Sequence, residues 1–132
     1  MLHRQVQTYQ IDFSGHVNNS VYTQWLEEAR VELIGRAGYP VTAAMAGGKI
    51  PALVETHIVF KRPLLMGETV VIEAWVEEIG GASGWIATEV RNGEGEIAAF
   101  GRQRGVWIDA TTGRPSRLSP TEIAAYRAFS RE

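Results

Sequence analysis

Ser20-Val21-Tyr22-Thr23-Gln24-Trp25-Leu26-Glu27-Glu28-Ala29-Arg30-Val31-Glu32-Leu33-Ile34-Gly35 carries a single apolar stripe at helical spacing. Tyr22, Trp25, Leu26, Ala29 and Leu33 fall on one face, while Glu27, Glu28, Arg30 and Glu32 lie largely off it. Asn18 and Asn19 before the stretch are good helix caps. Gly35 and Gly38 stand where such a helix stops, and Pro40 is expected to prevent its resumption. The stripe is long and aromatic enough for a helix buried at the centre of a domain.

The segments around this helix have the periodicity of strands. Leu2 to Ile11 mixes Val6, Thr8, Tyr9 and Ile11 with polar neighbours and reads as a half-buried strand. Beyond the helix, a loop containing Gly47-Gly48 leads into Ala52 to Lys61, rich in Val, Ile, Thr and Phe, which Arg62-Pro63-Leu64-Leu65-Met66-Gly67-Glu68 breaks. Thr69 to Ile79 places Val70, Ile72, Ala74 and Val76 at period two. Gly80-Gly81-Ala82-Ser83-Gly84 turns the chain, and Trp85 to Val90 returns it. Asn92-Gly93 has the composition of a type I′ hairpin turn, whose central residues need positive φ. Glu96 to Ile108 is the last long strand, and Ser119 caps a short helix on which Ile123, Tyr126 and Phe129 share a side. Short turns require antiparallel neighbours, so the expected class is α+β: a five-stranded antiparallel sheet wrapped around one long central helix, with a short C-terminal helix. Such a sheet leaves its other face and its edges uncovered, which predicts a homodimer or homotetramer.

With 132 residues the chain supports one core, hence a single domain over 1–132. Its apolar share of 45% and charged share of 21% match an ordinary globular protein and argue against disorder. No apolar run approaches the roughly 20 residues of a membrane span, and Met1-Leu2-His3-Arg4-Gln5 lacks the apolar core of a signal peptide. Cysteine is absent, which excludes disulfides, thiolate catalysis and sulfur-ligated metals. The expectation is a cytoplasmic protein with no membrane partner. A net charge of −2 argues against a nucleic-acid partner, although Lys61-Arg62, Arg102 and Arg104 form local basic clusters suited to a small polyanion.

The most unusual composition lies between the first strand and the helix, at Asp12-Phe13-Ser14-Gly15-His16-Val17-Asn18-Asn19. The helix that follows begins with backbone N–H groups that have no intrahelical partner, and its dipole favours negative charge there. A carbonyl oxygen becoming an oxyanion is stabilised at such a terminus. A carboxylate a few residues upstream can act on the same carbonyl, as nucleophile or as base for a water. The bland alternative is that Asp12 caps the amides of a turn and that the two asparagines cap the helix.

These residues carry a resemblance. Ile11-Asp12-Phe13-Ser14-Gly15-His16-Val17-Asn18-Asn19-Ser20-Val21-Tyr22, followed by Trp25-Leu26-Glu27 and Ala29-Arg30, resembles the opening of the 4-hydroxybenzoyl-CoA thioesterase family of the hotdog superfamily. His57-Ile58-Val59-Phe60-Lys61-Arg62-Pro63 with Gly67-Glu68 resembles that family's second strand and turn. Val106-Trp107-Ile108-Asp109 with Thr112-Gly113-Arg114-Pro115 and Leu118 resembles its closing strand. The resemblance implies a hotdog fold and hydrolysis of an acyl thioester of coenzyme A or acyl carrier protein, with coenzyme A as part of the substrate and no cofactor. It implies that Asp12 is the catalytic carboxylate and that the Asn19 N–H polarises the thioester carbonyl. It also implies that Ser14, Gly15, Val17 and Tyr22 border the substrate, in a cleft shared across a dimer. His16 matches a histidine of plant acyl-carrier-protein thioesterases, which have an asparagine where this chain has Ser14. It is either catalytic or orients the turn through a ring hydrogen bond.

Lys61, Arg62, Arg102 and Arg104 are candidates for the coenzyme phosphates, or are simply solvated. Glu55 and His57 lie two apart on a strand and share a face. A hotdog dehydratase or hydratase acting through that pair is one rival reading, and a non-catalytic acyl-CoA-binding protein is another. His3, His16 and His57 are too scattered for a metal site. Ser83 lacks the Gly-x-Ser-x-Gly frame of a nucleophile elbow and belongs to a hairpin turn. Trp25, Trp75, Trp85 and Trp107 are expected mostly in the core or at an interface, with one of them a candidate to line an acyl tunnel.

Overall fold

The computed structural model describes residues 1–46 and 48–131; Gly47, expected in the loop before the second strand, lies outside them. Its elements are β1 (Leu2–Gln5), α1 (Asn19–Arg36), α2 (Val41–Met45), β2 (Lys49–Phe60), β3 (Thr69–Gly80), β4 (Ser83–Arg91), β5 (Ile97–Asp109) and α3 (Pro120–Arg127). One antiparallel sheet holds all five strands in the order β1-β3-β4-β5-β2. This is the α+β hotdog architecture, with the sheet curled around α1.

The centre of the sheet, β3-β4-β5, is a meander made by two tight turns. Gly81, at φ 62°, makes the first, between the paired residues Gly80 and Ser83. The second is not the expected type I′ turn at Asn92-Gly93. Asn92 instead opens a longer turn: its carbonyl accepts from Gly95 N–H at 3.0 Å, its own N–H donates to the Glu96 carbonyl at 2.9 Å, and Gly95 has φ 81°. The Asn92 side chain, which accepts from Glu94 N–H at 3.0 Å, favours this start.

Three further differences from the expected elements have local causes. The first strand ends at Gln5 rather than Ile11, because Gln7 and Gln10 exchange side-chain and backbone hydrogen bonds and wind Thr8–Gln10 into a 3₁₀ turn. α1 ends at Arg36, with Gly38 at φ 104°, and Pro40, expected to prevent further helix, instead stands at the N-cap of α2, since its missing N–H costs nothing there. The second strand begins at Lys49, ahead of Ala52, and Pro51 is tolerated within it because β2 is an edge strand paired only with β5.

α1 buries Val21, Tyr22, Trp25, Leu26, Ala29, Leu33 and Ile34 against the concave face. Leu26 is fully buried beside Gly101 of β5, where a β-carbon would stand 2.2 Å from Leu26 Cδ2. Arg30, expected off the apolar stripe, is only 7% exposed and pairs with Glu27. Wrapping the helix on more than one side widens its buried face and draws in the Arg30 stem. The core runs from Val6, Trp25, Val70 and Val90 at one end to Leu33, Trp107, Leu118 and Tyr126 at the other. Among the described residues no helix is long and apolar enough to cross a membrane.

Candidate functional site

Asp12 to His16 form a tight turn between the isolated bridge partners Ile11 and Val17. Asp12 N–H donates to the His16 carbonyl at 2.8 Å, Gly15 N–H donates to the Asp12 carbonyl at 3.0 Å, and Gly15 has φ 84°. The turn formed by Asn92 to Glu96 has the same two backbone bonds, and there the Asn92 side chain also accepts from Glu96 N–H and donates to the Glu96 carboxylate. In both, the first side chain accepts from the N–H two residues on; for Asp12 Oδ1 and Ser14 the distance is 2.8 Å. The Asp12 turn adds a bond from Ser14 Oγ to Asp12 Oδ1, at 2.5 Å. The capping role of Asp12 is therefore real, and it occupies one oxygen. Oδ2 accepts no hydrogen bond among the described residues.

The Ser14 hydroxyl, and after it the Ser14 N–H, hold the Asp12 carboxyl below the usual carboxylate range. The group is ionised at neutral pH. His16 closes the turn through its backbone carbonyl, and its exposed ring makes no hydrogen bond among the described residues. The alternative in which the His16 ring orients the turn is therefore replaced: the backbone does so.

At the start of α1 the amides are unequally satisfied. Asn18 Oδ1 accepts from Ser20 N–H at 2.9 Å, and the Asn18 carbonyl accepts from Val21 N–H at 2.9 Å. The Asn19 N–H has no partner among the described residues and lies in the positive field of the helix terminus. One donor is thus left over where a developing oxyanion would be held.

Asp12, His16, Val17, Asn19 and Tyr22 border an open groove of about 300 Å³, whose other wall is Phe60, Lys61, Arg62 and Pro63 from the end of β2. Ser14 and Gly15 are not among its lining residues; they act from behind, in the turn. The Tyr22 ring meets Phe60 edge to face, with centroids 5.1 Å apart. Burial, with the Glu68 carboxylate next in effect, pushes the Tyr22 phenol up to about 12, so it stays neutral. Arg62 pairs with Glu96 at 3.0 Å, whereas Lys61 makes no ion pair among the described residues.

The remaining candidates fall elsewhere. Arg102 lies on the convex face, bonded to Glu77 at 2.6 Å and stacked over Trp85, and Arg104 lies 4.0 Å from Glu55 on that side. His57 and Glu55 share the face, as expected, but it is this exposed convex one, with the sheet between them and the groove. The alternation along β5 and β2 decides this: the register partners Gln103 and Thr56 point inward and the flanking pairs outward. Phe60 and Pro63 are groove residues that the residue pattern did not single out. The only signal was the apolar Phe60 beside the Lys61-Arg62-Pro63 break. Trp25 and Trp107 are core residues, 1% and 6% exposed, and Trp75 and Trp85 lie on the convex face. Among the described residues no group of three or more His, Asp or Glu side chains is arranged to hold a metal ion.

Residues 6–125 match the thioesterase-like superfamily. The long-chain acyl-CoA thioesterase of Escherichia coli K12 is 28% identical over 110 residues, 82% of this chain and 82% of that protein. A Thermus thermophilus thioesterase solved with coenzyme A and zinc superimposes with a TM-score of 0.84 at 26% identity, covering 97% of this chain and 91% of that one. A DHNA-CoA thioesterase from Staphylococcus aureus shares the fold at a TM-score of 0.87 and 24% identity, over 96% of this chain and 87% of that one.

Proposed function

The chain belongs to the thioesterase-like superfamily, and on that premise we propose that it hydrolyses an acyl-CoA thioester to free acid and coenzyme A at the Asp12 groove. The observation that carries the proposal is the pairing, in one open groove, of a carboxylate with one oxygen uncommitted and a helix-terminal N–H without a partner, both among the described residues. The thioester carbonyl oxygen accepts from the Asn19 N–H, which stabilises negative charge as the carbonyl carbon becomes tetrahedral. Asp12 Oδ2 faces that carbon, either attacking it or taking a proton from the water that does. With water as the attacking group, expulsion of the coenzyme A thiolate, which takes up the proton held by Asp12, gives the free acid directly. With Asp12 as the attacking group it leaves an acyl anhydride on Asp12, which a water then hydrolyses to the free acid and the restored carboxylate. His16 borders the same groove and is a second candidate for proton transfer to the leaving sulfur.

The Ser14 bond sets the working pH range. The ionised carboxylate is the active form, and its depressed pKa preserves that form as pH falls. In Ser14→Ala the main stabilising bond to the anion is gone, so the pKa rises and activity is lost at a higher pH on acidification. The acid limb of kcat/KM should therefore move to higher pH in that variant, with kcat near neutrality little changed. An unmoved limb would mean that Asp12 ionisation does not govern the rate.

Lys61 is the cation for a coenzyme phosphate, since Arg62 is engaged by Glu96. Lys61→Ala should raise KM by about threefold, the scale of one exposed ion pair, and the difference should vanish at high salt. Leu53, Val54, Val59 and Phe60 are exposed along the edge strand β2, with Val59 and Phe60 on opposite faces of it, and this apolar edge is the surface for a second copy that would close the groove into a shared cleft. Size-exclusion chromatography of Val54→Glu against the parent tests it through loss of the dimer. A cytoplasmic location accords with a chain that carries no cysteine. A non-catalytic binder would show tight acyl-CoA binding without thiol release, which a free-thiol assay over aliphatic, aromatic and hydroxylated acyl-CoAs distinguishes directly.

A further inference from the structure

Two polar side chains beneath α1 have no use in the chemistry above. Arg30 is 7% exposed and Gln103 1% exposed, yet Arg30 Nε and Gln103 Oε1 have no hydrogen-bond partner among the described residues. Arg30 spends its Nη2 on Glu27, and Gln103 spends its Nε2 on Thr56 Oγ1 at 3.3 Å. The orientation of both groups is thereby fixed, and among the described residues each keeps one buried unpaired atom. Both line a single cavity of about 20 Å³ between α1 and the sheet, room for one oxygen of water size, which needs about 10–15 Å³. Thr88, whose Oγ1 is also buried and unpaired among the described residues, stands on the adjacent strand opposite Gly101. Buried polar atoms left without partners are costly and rare in native proteins; Thr88 does not line the cavity, but Arg30 and Gln103 both do, and that pair marks a binding cell.

The donor and acceptor inventory identifies what the cell takes. Arg30 Nε–H can only donate, and Gln103 Oε1 can only accept. Since Glu27 already balances the Arg30 charge, the ligand is neutral. A hydroxyl satisfies both atoms at once, accepting from the arginine and donating to the glutamine. From the Asp12 groove the inner face of β2 leads towards this cell: Phe60 borders the groove, and Ile58 and Thr56 follow on the same face over about 13 Å. Phe60 and Thr56 are exposed, and Thr56 holds Gln103. Along α1 the distance from Asn19 to Arg30 is about 16 Å, with Leu26 sealed against Gly101 between them.

We propose that Arg30 and Gln103 form a hydroxyl-reading cell at the far end of the acyl path, so that the enzyme prefers acyl groups bearing a hydroxyl remote from the thioester. The proposal rests on the acyl-thioester reading of the Asp12 groove. The hydroxyl oxygen comes from the acyl chain or from a bound water, and the experiment separates these sources. Straight-chain acyl-CoAs carrying a hydroxyl at successive remote positions are compared with unsubstituted esters of equal length, in the parent and in Gln103→Leu. The expected result is a preference for one hydroxylated position of about tenfold in kcat/KM, lost in Gln103→Leu. If the parent shows no preference at any position, or if Gln103→Leu lowers both esters alike, the cell reads no acyl hydroxyl and takes water only; the hydrolase reading then stands without it. Thermal shifts with the free acids provide a readout that needs neither turnover nor the variant. A hydroxy acid that raises the parent's Tm above the shift given by the unsubstituted acid supports the cell even if no ester is cleaved, an outcome that would defeat the hydrolase reading alone. Equal shifts overturn the cell.

Discussion

Asp12→Asn is expected to fold as the parent does while losing about a hundred- to ten-thousandfold in kcat, the usual contribution of a positioned proton-transfer group. The chain contains its own control for this substitution. Asn92 opens the same turn as Asp12, with the same two backbone bonds and the same side-chain bond to the amide two residues on. An amide is therefore compatible with the turn, there helped by two side-chain bonds to Glu96 where the Asp12 turn has the Ser14 hydroxyl, and a carboxylate is needed for what Oδ2 does in the groove. Thiol release measured beside circular dichroism and Tm separates the two roles. Asp12→Ala is the blunter variant, because it also deletes the acceptor for both Ser14 bonds. Near-parental turnover by a well-folded Asp12→Asn protein would leave Asp12 as a turn former and nothing more.

The second large effect is on stability and arises where α1 meets β5. Adding a β-carbon at position 101 places it 2.2 Å from Leu26 Cδ2, 3.1 Å from Cγ and 3.3 Å from Cδ1, against a side chain with no exposed surface. Every branch of the leucine is in the way, so rotation of one methyl does not relieve the clash. Gly101→Ala should cost about 1–3 kcal/mol as an overpacked core does. Leu26→Ala alone should cost about 2–5 kcal/mol through the space it leaves. Combined, the new methyl occupies part of that space, so the double variant should lose clearly less than the sum. Denaturant midpoints at constant m report all three, and strict additivity would show that the two residues do not press on each other.

The parts of the fold legible in the residues were those where one local rule acts unopposed. The α1 stripe from Tyr22 to Leu33 and the period of two in β3 are set by which face is buried. Where two local preferences compete, the pattern misleads. Asn92-Gly93 matches a type I′ turn, but Asn92 gains more as the acceptor opening a longer turn that puts Gly95 at positive φ. Thr8 and Tyr9 have strand character, yet the Gln7–Gln10 exchange wins over it. Arg30 lies off the apolar stripe and is nonetheless buried, because side-chain polarity does not tell how far a sheet will curl around its helix. In the site, Asp12, His16, Val17, Asn19 and Tyr22 are near neighbours in the chain, so the wall they form was accessible from the motif. The opposite wall, Phe60 to Pro63, depends on β2 lying at the edge beside β5, a long-range pairing that no local signal encodes. The same gap explains Arg102 and Arg104, whose side of the sheet follows from register alone.

The strand order has a consequence for how the molecule is made. The central β3-β4-β5 meander joins neighbours in the chain, so its loops are short and cheap to close, whereas β2 must wait for β5 to be complete, Lys49 meeting Asp109 across the intervening meander. The helix is synthesised before almost all of the surface it will lie on. During synthesis Trp25, Leu26 and Leu33 emerge with nothing to cover them, so the nascent chain carries its stickiest segment exposed until the last long strand has left the ribosome. Yield in cells should then depend on how quickly the second half arrives, and slow translation after residue 48 should favour aggregation over folding.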